Sequence, residues 1–142
     1  MVKSGMHEHS HSIADTLRAA NLRPTRQRLE LAELLFSKGD RHISAENLYE
    51  EAITAGVCVS LATIYNTLHQ FTDSGLLREI SIDSNKTYFD TNTGHHHHFY
   101  MEETNQVIDM PDGFVTVDNL PTPPQGTEIS RVDVVVRVRE SK

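Results

Sequence analysis

The residues of this chain whose type and spacing most clearly indicate chemistry are four consecutive histidines, His95–His98. In an extended segment alternate side chains share a face, so His96 and His98 should point one way and His95 and His97 the other. Imidazole nitrogens bind transition-metal ions, and a single histidine can be an axial ligand of haem. The spacing therefore predicts either a His-x-His chelate for a metal ion or a haem ligand.

A histidine run can also be an exposed loop that binds nickel or zinc without a physiological role. Phe99 and Tyr100 follow the run directly, which favours a packed segment over a dangling one. A specific metal site needs further ligands. We expect them from His42, which precedes the third predicted helix, and from Asp90 and Asp109 near the hairpin ends.

The charge pattern leaves one cationic region in an acidic chain. With 13 Lys+Arg against 20 Asp+Glu in 142 residues, the formal net charge is −7, which excludes a uniformly basic nucleic-acid binder. The segment from Thr16 to Leu29 nevertheless carries four arginines and no acid, and Ala52–Thr72 carries no charged residue. Arginines beside an acid-free stretch are favourable for contact with DNA phosphates.

The absence of several motifs narrows the functional class. The single cysteine, Cys58, excludes an intramolecular disulfide and a multi-cysteine zinc site, and its apolar neighbours predict that it is buried. No nucleophile motif, glycine-rich phosphate loop or HExxH sequence indicates an enzyme. No apolar run reaches the roughly 20 residues of a membrane span, and the N-terminus resembles no secretory signal. We therefore expect a non-enzymatic cytoplasmic protein without membrane contact.

Capping residues and apolar periodicity predict four helices in the N-terminal part. Ser12, Thr25, Ser44 and Ser60 are the expected N-caps, and the fourth helix should end at Ser74–Gly75. The apolar face of the third helix comprises Ala45, Leu48, Tyr49, Ala52 and Ile53. The fourth helix has an apolar face of Leu61, Ile64, Leu68 and Phe71, opposite Ala62, Thr63, Asn66, His69 and Gln70, with Tyr65 at the flank. This second face offers donors and acceptors without acid, as a helix in the DNA major groove requires.

A β-hairpin is predicted after the fourth helix. Ile80 and Ile82 alternate with polar residues, the turn is Asp83–Lys86, and Thr87–Phe89 forms the returning strand. Helices followed by a hairpin predict a winged-helix DNA-binding domain over residues 1–91, with the fourth helix in the recognition position.

Residues 92–142 are predicted to form a small β-rich domain. His95–Glu102 and Gln106–Met110 should pair, Pro111–Gly126 should be irregular, and Val132–Val138 should be an amphipathic strand. About fifty residues cannot easily build an independent core, unless two copies join their sheets. The predicted fold class is therefore α+β, with an N-terminal winged helix and a C-terminal dimerisation and ligand-sensing domain. A homodimer would bind an inverted-repeat DNA site.

Three motifs together resemble the ferric uptake regulator family. They are LRPTRQR at residues 22–28, HISAENLY at residues 42–49 and VSLATIYNTL at residues 59–68. The histidine run and Val107–Asp109 extend the resemblance, which covers about residues 13–110. It implies a dimeric winged-helix transcription regulator that responds to metals, oxidants or haem.

The resemblance also implies particular DNA contacts. Arg23, Thr25 and Arg28 would meet the DNA backbone or minor groove, and Thr63 and Tyr65 would meet bases or phosphates in the major groove. The complete predicted DNA-binding set is Arg23, Thr25, Arg26, Arg28, Ser60, Thr63, Tyr65 and Asn66. The expected partner is double-stranded DNA that carries an AT-rich inverted repeat.

The chain departs from the family at one metal site and matches it at another. Met101 and Thr104 stand where other members have a cysteine pair that binds structural zinc, so no Cys-based zinc is expected. The site that matches residue by residue consists of His42, Asp90, His96, His98 and Asp109. It is a candidate site for Mn²⁺, Fe²⁺ or Zn²⁺.

Loss of the cysteine pair with retention of His-x-His resembles one subgroup of the family, the iron response regulators of alphaproteobacteria. This resemblance implies a repressor of iron and haem metabolism genes that is active at low iron and is relieved by haem at His95–His98. Two alternatives stay open. One is a metal-dependent repressor of the family's general type, and the other is a histidine-rich metal or haem binding module without a DNA role.

Overall fold

The computed structural model describes residues 13–83 and 86–141, and within it the chain forms two compact units. The first unit ends at Thr93 and the second begins at Gly94. The first contains helices and a small sheet, and the second contains a small sheet and irregular segments, so the fold is α+β as predicted. The predicted cap Ser12 and the predicted turn residues Ser84 and Asn85 lie outside the described residues.

Three helices of the first unit begin where the capping residues predict, and a further helical segment occupies residues 13–19. In chain order they are α1 (residues 13–19), α2 (Arg26–Phe36), α3 (Ala45–Thr54) and α4 (Leu61–Asp73). Thr25, Ser44 and Ser60 have extended backbones, and each side-chain oxygen accepts a hydrogen bond from the backbone N–H three residues later. These bonds satisfy N–H groups that have no partner inside the helix, which is why the helices begin at these residues.

The wing is a three-stranded antiparallel sheet next to α4 in the chain. Strands β2 (Arg78–Asp83) and β3 (Lys86–Asp90) form the predicted hairpin. The two-residue strand β1 (His42–Ile43), which the sequence did not predict, pairs with the other edge of β3 to give the order β1-β3-β2.

An apolar cluster holds the described helices and the wing of the first unit together. Its fully buried members include Leu17, Leu31, Leu35, Leu48, Ile64, Leu68 and Phe71. Phe89 of β3 is also buried in it, and it ties the hairpin to the helices. The predicted core face of α4 is therefore confirmed at Ile64, Leu68 and Phe71, whereas Leu61 at the first turn is 36% exposed.

Two expectations for this unit are wrong. Ile53, predicted on the buried face of α3, is 57% exposed because it lies in the last turn of the helix. Cys58, predicted to be buried, is exposed because it lies in the connection between α3 and α4. Its apolar neighbours Val57 and Val59 pack against the core instead.

The sheet of the second unit has the order β5-β4-β6. Strands β4 (His98–Met101) and β5 (Gln106–Asp109) form an antiparallel hairpin, and β6 (Val135–Val138) runs parallel to β4 along its other edge. Asn105 in the hairpin turn has φ 57°, a backbone conformation that asparagine tolerates better than most residues.

Two strands of this sheet are shorter than the sequence predicts. β4 begins at His98 rather than at His95, because residues 95–97 make no ladder with a neighbouring strand. β6 begins at Val135 rather than at Val132, because its ladder reaches only the four residues of β4. Residues 111–134 contain no strand or helix, in accord with the prolines of this segment. Among the described residues, no helix is both long and apolar enough to cross a membrane.

Candidate metal centre and DNA interface

The predicted alternation of the histidine run is present in the structure, although only His98 belongs to a strand. The imidazole rings of His96 and His98 lie 4.6 Å apart, centroid to centroid. Those of His95 and His97 form a second pair at 5.7 Å. His96 and His98 are buried, whereas His95 is exposed. The run therefore presents two different chemical environments.

Asp109 completes a three-residue cluster with the buried histidines. It is the cross-strand partner of His98 in the β4–β5 hairpin, so the register of two strands places its carboxylate there. Its Oδ1 lies 3.1 Å from Nε2 of His96 and 3.3 Å from Nε2 of His98. Two imidazole nitrogens and one carboxylate oxygen within this distance form a donor set typical of a transition-metal site.

The hydrogen bond of His96 indicates which of its nitrogens is available to a metal. Nδ1 lies 2.8 Å from the carbonyl oxygen of Gly94, which can only accept, so Nδ1 carries the proton. In neutral His96 the lone pair is then on Nε2, and it faces the carboxylate of Asp109. Protonated His96 would pair with this carboxylate directly, whereas neutral His96 and the carboxylate could both donate lone pairs to a cation between them. A carbonyl that orients the ligand histidine is a common feature of metal sites.

His97 has a different role in the same segment. Its Nδ1 accepts a hydrogen bond from the backbone N–H of Val134 at 3.1 Å, and the N–H of His98 donates to the carbonyl of Val134. With Nδ1 used as an acceptor, Nε2 of neutral His97 carries the proton and offers no lone pair to a metal or haem iron. In this structure His97, a predicted cofactor ligand, joins the histidine run to Val134, the residue before β6.

The second unit also contains a small cavity beside the histidine run. It has a volume of about 160 Å³ and is lined by His95, His96, His97, Met110, Pro111, Asp112, Gly113 and Val115. Sites that enclose a cofactor-sized ligand measure roughly 300–1,000 Å³. A haem group could therefore meet this cavity only with an edge or through exposed His95.

The wing of the first unit holds the other two predicted metal ligands. His42 and Asp90 are cross-strand partners in β1 and β3, and Nε2 of His42 lies 3.1 Å from Oδ2 of Asp90. The Asp90 side chain is fully buried, and its Oδ1 accepts a hydrogen bond from the N–H of Asn92 at 2.9 Å. Asp90 thus has one oxygen fixed by the backbone and one directed at an imidazole.

The residues of the predicted DNA surface on α4 are accessible. Tyr65 and Asn66 are exposed, Thr63 is half-buried, and Ser60 serves as the N-cap. The hydroxyl of Tyr65 donates a hydrogen bond to the carboxylate of Glu46 in α3. This bond is the main reason that the pKa of Tyr65 is raised above its ordinary value. The hydroxyl of Tyr65 therefore keeps its proton at physiological pH and acts as a hydrogen-bond donor. Glu46 was not among the predicted site residues.

The predicted DNA-binding arginines differ in their surroundings. Arg23 is exposed, and the side chain of Arg26 is 90% exposed, with its Nε 3.8 Å from Glu30. Arg28 as a residue is half-buried, and its guanidinium donates hydrogen bonds to the carbonyl of Arg23 and to the side chain of Gln70. Gln70 lies on the predicted polar face of α4 but was not among the predicted site residues, because its partner is 42 positions away in the chain.

The structure has the features of a metal-dependent winged-helix transcription regulator: a wing, a polar and acid-free helix face, and clustered imidazole and carboxylate donors. Residues 19–134 match the family model described as "Ferric uptake regulator family". The chain belongs to the ferric uptake regulator family, and as a member it is a transcription regulator rather than an enzyme. Members of this family are dimeric DNA-binding proteins.

Individual relatives support this assignment. The chain is 36% identical over 100 residues to the ferric uptake regulation protein of Vibrio parahaemolyticus, an alignment that covers 70% of this chain and 67% of that protein. It is similar to the ferric uptake regulator of Pseudomonas aeruginosa, solved with manganese, with a TM-score of 0.70 and 29% identity over 92% of this chain and 98% of that one. The Vibrio cholerae regulator gives a TM-score of 0.69 and 26% identity over 89% and 98% of the respective chains.

Proposed function

We propose that this protein is a homodimeric repressor that binds AT-rich inverted repeats in double-stranded DNA in response to a divalent metal ion. The observation that carries the metal part is the cluster of His96, His98 and Asp109, in which the Nδ1 proton of His96 is committed to Gly94 and Nε2 faces a carboxylate. Two nitrogens and one oxygen suit Mn²⁺, Fe²⁺ or Zn²⁺. When bound, the ion would supply positive charge that holds these donors in one arrangement.

In this proposal, the ion also takes ligands from the wing. The complete set is His42, Asp90, His96, His98 and Asp109. The His42–Asp90 pair offers two donors and the His96 cluster offers three, whereas divalent transition ions take four to six. A shared ion would restrain the DNA-binding unit relative to the second unit, and this restraint would bias the spacing of the two recognition helices in a dimer.

DNA binding is assigned to α4 and to the segment before α2. The exposed Arg23 and Arg26 would neutralise phosphates, and the polar face of α4 with Thr63, Tyr65 and Asn66 would meet base edges. If the protein shows no salt-dependent binding to duplex DNA, this result would instead favour a histidine-rich metal-binding module without a DNA role.

Calorimetric titration of metal-free protein with Mn²⁺ tests the metal site. Manganese is the first ion to test, because the Pseudomonas aeruginosa relative was solved with it. His98→Ala should weaken Mn²⁺ binding by at least about 100-fold, since it removes a buried ligand. His95→Ala, a change in an exposed histidine of the same run, is the matched control and should bind like the wild type.

The same titration tests whether both units share the ion. Asp90→Asn and His42→Ala should each weaken binding, and the wild type should bind one ion per chain at this site. If the wing variants bind Mn²⁺ as tightly as the wild type, the ion belongs to the His96 cluster alone. Fluorescence anisotropy on a duplex selected from genomic DNA should then show whether DNA binding requires Mn²⁺.

A second candidate function is a haem response of the kind implied by the iron response regulators. Here the repressor would act on iron and haem metabolism genes at low iron, and haem at His95–His98 would release it from DNA. The observation that favours this candidate is exposed His95 at the cavity beside Met110. A haem absorption band that forms with the wild type and not with His95→Ala, together with loss of DNA binding on adding haem, would support it. Unchanged DNA binding at saturating haem would contradict it.

A further inference from the structure

Arg28 in α2 connects two segments that the proposed function assigns to DNA contact. Its Nη1 donates to the carbonyl oxygen of Arg23 at 3.0 Å, and its Nη2 donates to Oε1 of Gln70 in α4 at 3.1 Å. Its backbone N–H donates to the hydroxyl of the cap residue Thr25. One residue therefore contacts the segment that precedes α2, the start of α2 itself and the recognition helix.

The guanidinium group is suited to this connection by its shape. It is planar, and its N–H groups have fixed directions, so two bonds to two separate elements restrict both the distance and the angle between them. The two bonds hold the plane of the guanidinium between Arg23 and Gln70, so a phosphate could reach only the N–H groups that they leave over. Arg26, two residues earlier, differs because its side chain is 90% exposed and thus available to solvent or phosphate.

We propose that Arg28 is a positioning residue that sets the recognition helix relative to the Arg23 segment through Gln70, rather than a phosphate contact. The inference rests on the proposed DNA-binding function and assigns a specificity role within it. Phosphate contacts fix the register of a protein on the duplex, and base contacts read the sequence. Arg28 joins the segment proposed for phosphate contacts to the helix proposed for base contacts. Its loss should therefore weaken the discrimination between DNA sequences more than it weakens the affinity for DNA of any sequence.

The test compares Arg28→Gln, Arg28→Lys and Gln70→Ala with the control Arg26→Gln. The probes are a duplex selected by the wild type from a random-sequence pool and a scrambled duplex of the same composition, each titrated at several salt concentrations. We expect all three test variants to lose roughly tenfold in affinity for the selected duplex and little for the scrambled one. The slope of log affinity against log salt should remain that of the wild type.

The control variant and the double variant make the outcome decisive. If Arg26 contacts a phosphate, Arg26→Gln should reduce the salt slope by about 0.9 and weaken both duplexes alike. The double variant Arg28→Lys/Gln70→Ala should bind the selected duplex no more weakly than Arg28→Lys alone, because the bond to Gln70 is already absent in that variant. A reduced salt slope in Arg28→Gln, or additive losses in the double variant, would overturn the proposal.

Thermal unfolding of the protein without DNA separates this inference from the proposed function. Arg28→Lys and Gln70→Ala should each lower the Tm by about 2–4 °C, and the double variant should lower it by no more than Arg28→Lys alone. If the wild type selects no duplex while this coupling is present, the proposed function fails although the contact exists. If the Tm changes simply add, the connection itself is absent and the inference is wrong.

Discussion

Arg41 illustrates how one residue can hold a candidate metal ligand in place. It precedes His42, and its guanidinium donates hydrogen bonds to both carboxylate oxygens of Glu51 and to the carbonyl of Leu34. Its backbone pairs with Thr91 beyond the end of β3. The residue beside His42 is therefore fixed to α2, to α3 and to the wing.

The ion pair of Arg41 and Glu51 predicts a dependence of stability on pH. The hydrogen bond from Arg41 is the main cause that lowers the pKa of Glu51 below its ordinary value of 4.5. A lowered pKa in the folded state means that the unfolded chain binds more protons. The contribution of Glu51 is therefore complete above about pH 4.5 and is lost as the pH falls through the lowered pKa.

Glu51→Gln should lower the free energy of unfolding by roughly 1 kcal/mol near neutral pH, since the pair is only partly screened by solvent. The difference from the wild type should shrink as the pH falls below about 4.5, where the native carboxylate also becomes protonated. Denaturant unfolding of both proteins from neutral pH to below about pH 4.5 measures this difference in stability. Glu50→Gln, a change in the exposed neighbouring carboxylate, is the matched control. A difference that stays constant across the range would contradict the prediction.

At the scale of elements, α3 and α4 begin with the same serine cap but are predicted to differ in function. The hydroxyl of Ser44 accepts a hydrogen bond from the N–H of Asn47 at 3.1 Å, and that of Ser60 accepts one from the N–H of Thr63 at the same distance. Ser60 alone belongs to the predicted DNA-binding set. The two caps thus allow stability and DNA contact to be separated.

Substitution of these caps by alanine and by aspartate should give different patterns. Ser44→Ala and Ser60→Ala should each cost about 1 kcal/mol of stability, whereas aspartate retains the cap and favours the positive end of the helix dipole. Ser60→Asp should fold normally but lose DNA binding, because it places a negative charge near the phosphates. Ser44→Asp should retain DNA binding. Denaturant unfolding and anisotropy on one duplex measure both effects, and equal DNA binding by the two aspartate variants would contradict the assignment of Ser60.

At the scale of the whole molecule, the second unit presents an apolar strip on its sheet. Phe99 in β4 is the register partner of Ile108 in β5 and of Val136 in β6. Ile108 is 45% exposed and Val136 is 39% exposed, whereas their neighbours Tyr100 and Val107 are buried. An exposed apolar strip on so small a unit fits the proposal that a second copy of the chain covers it.

Val136→Asp should therefore shift the protein from dimer to monomer, because it would bury an unpaired charge in the proposed interface. Sedimentation velocity over a range of protein concentrations measures the shift. Ile53→Asp changes an exposed apolar residue of α3 in the same way and is the control. A dimer that withstands Val136→Asp would place the contact between copies elsewhere.

Most of the first unit could be predicted from the sequence because its signals are local. A serine or threonine cap acts on an N–H three residues away, and the apolar period of α4 acts within one helix. The hairpin of β2 and β3 and the alternation of His95–His98 also depend on neighbours in the chain. The order of helices and hairpin then predicted a winged helix, and the family motifs at residues 22–28, 42–49 and 59–68 agree with it.

The tertiary structure decided the contacts that join distant residues. Strand register placed Asp109 against His96 and His98, and a partner 37 positions away in the chain, Val134, donates a hydrogen bond to His97. Likewise, Arg28 meets Gln70 across 42 positions. Residue types and local periods set which groups could bind a metal or DNA. Which of them meet depends on register and packing, because contacts between distant residues arise only when whole elements pair.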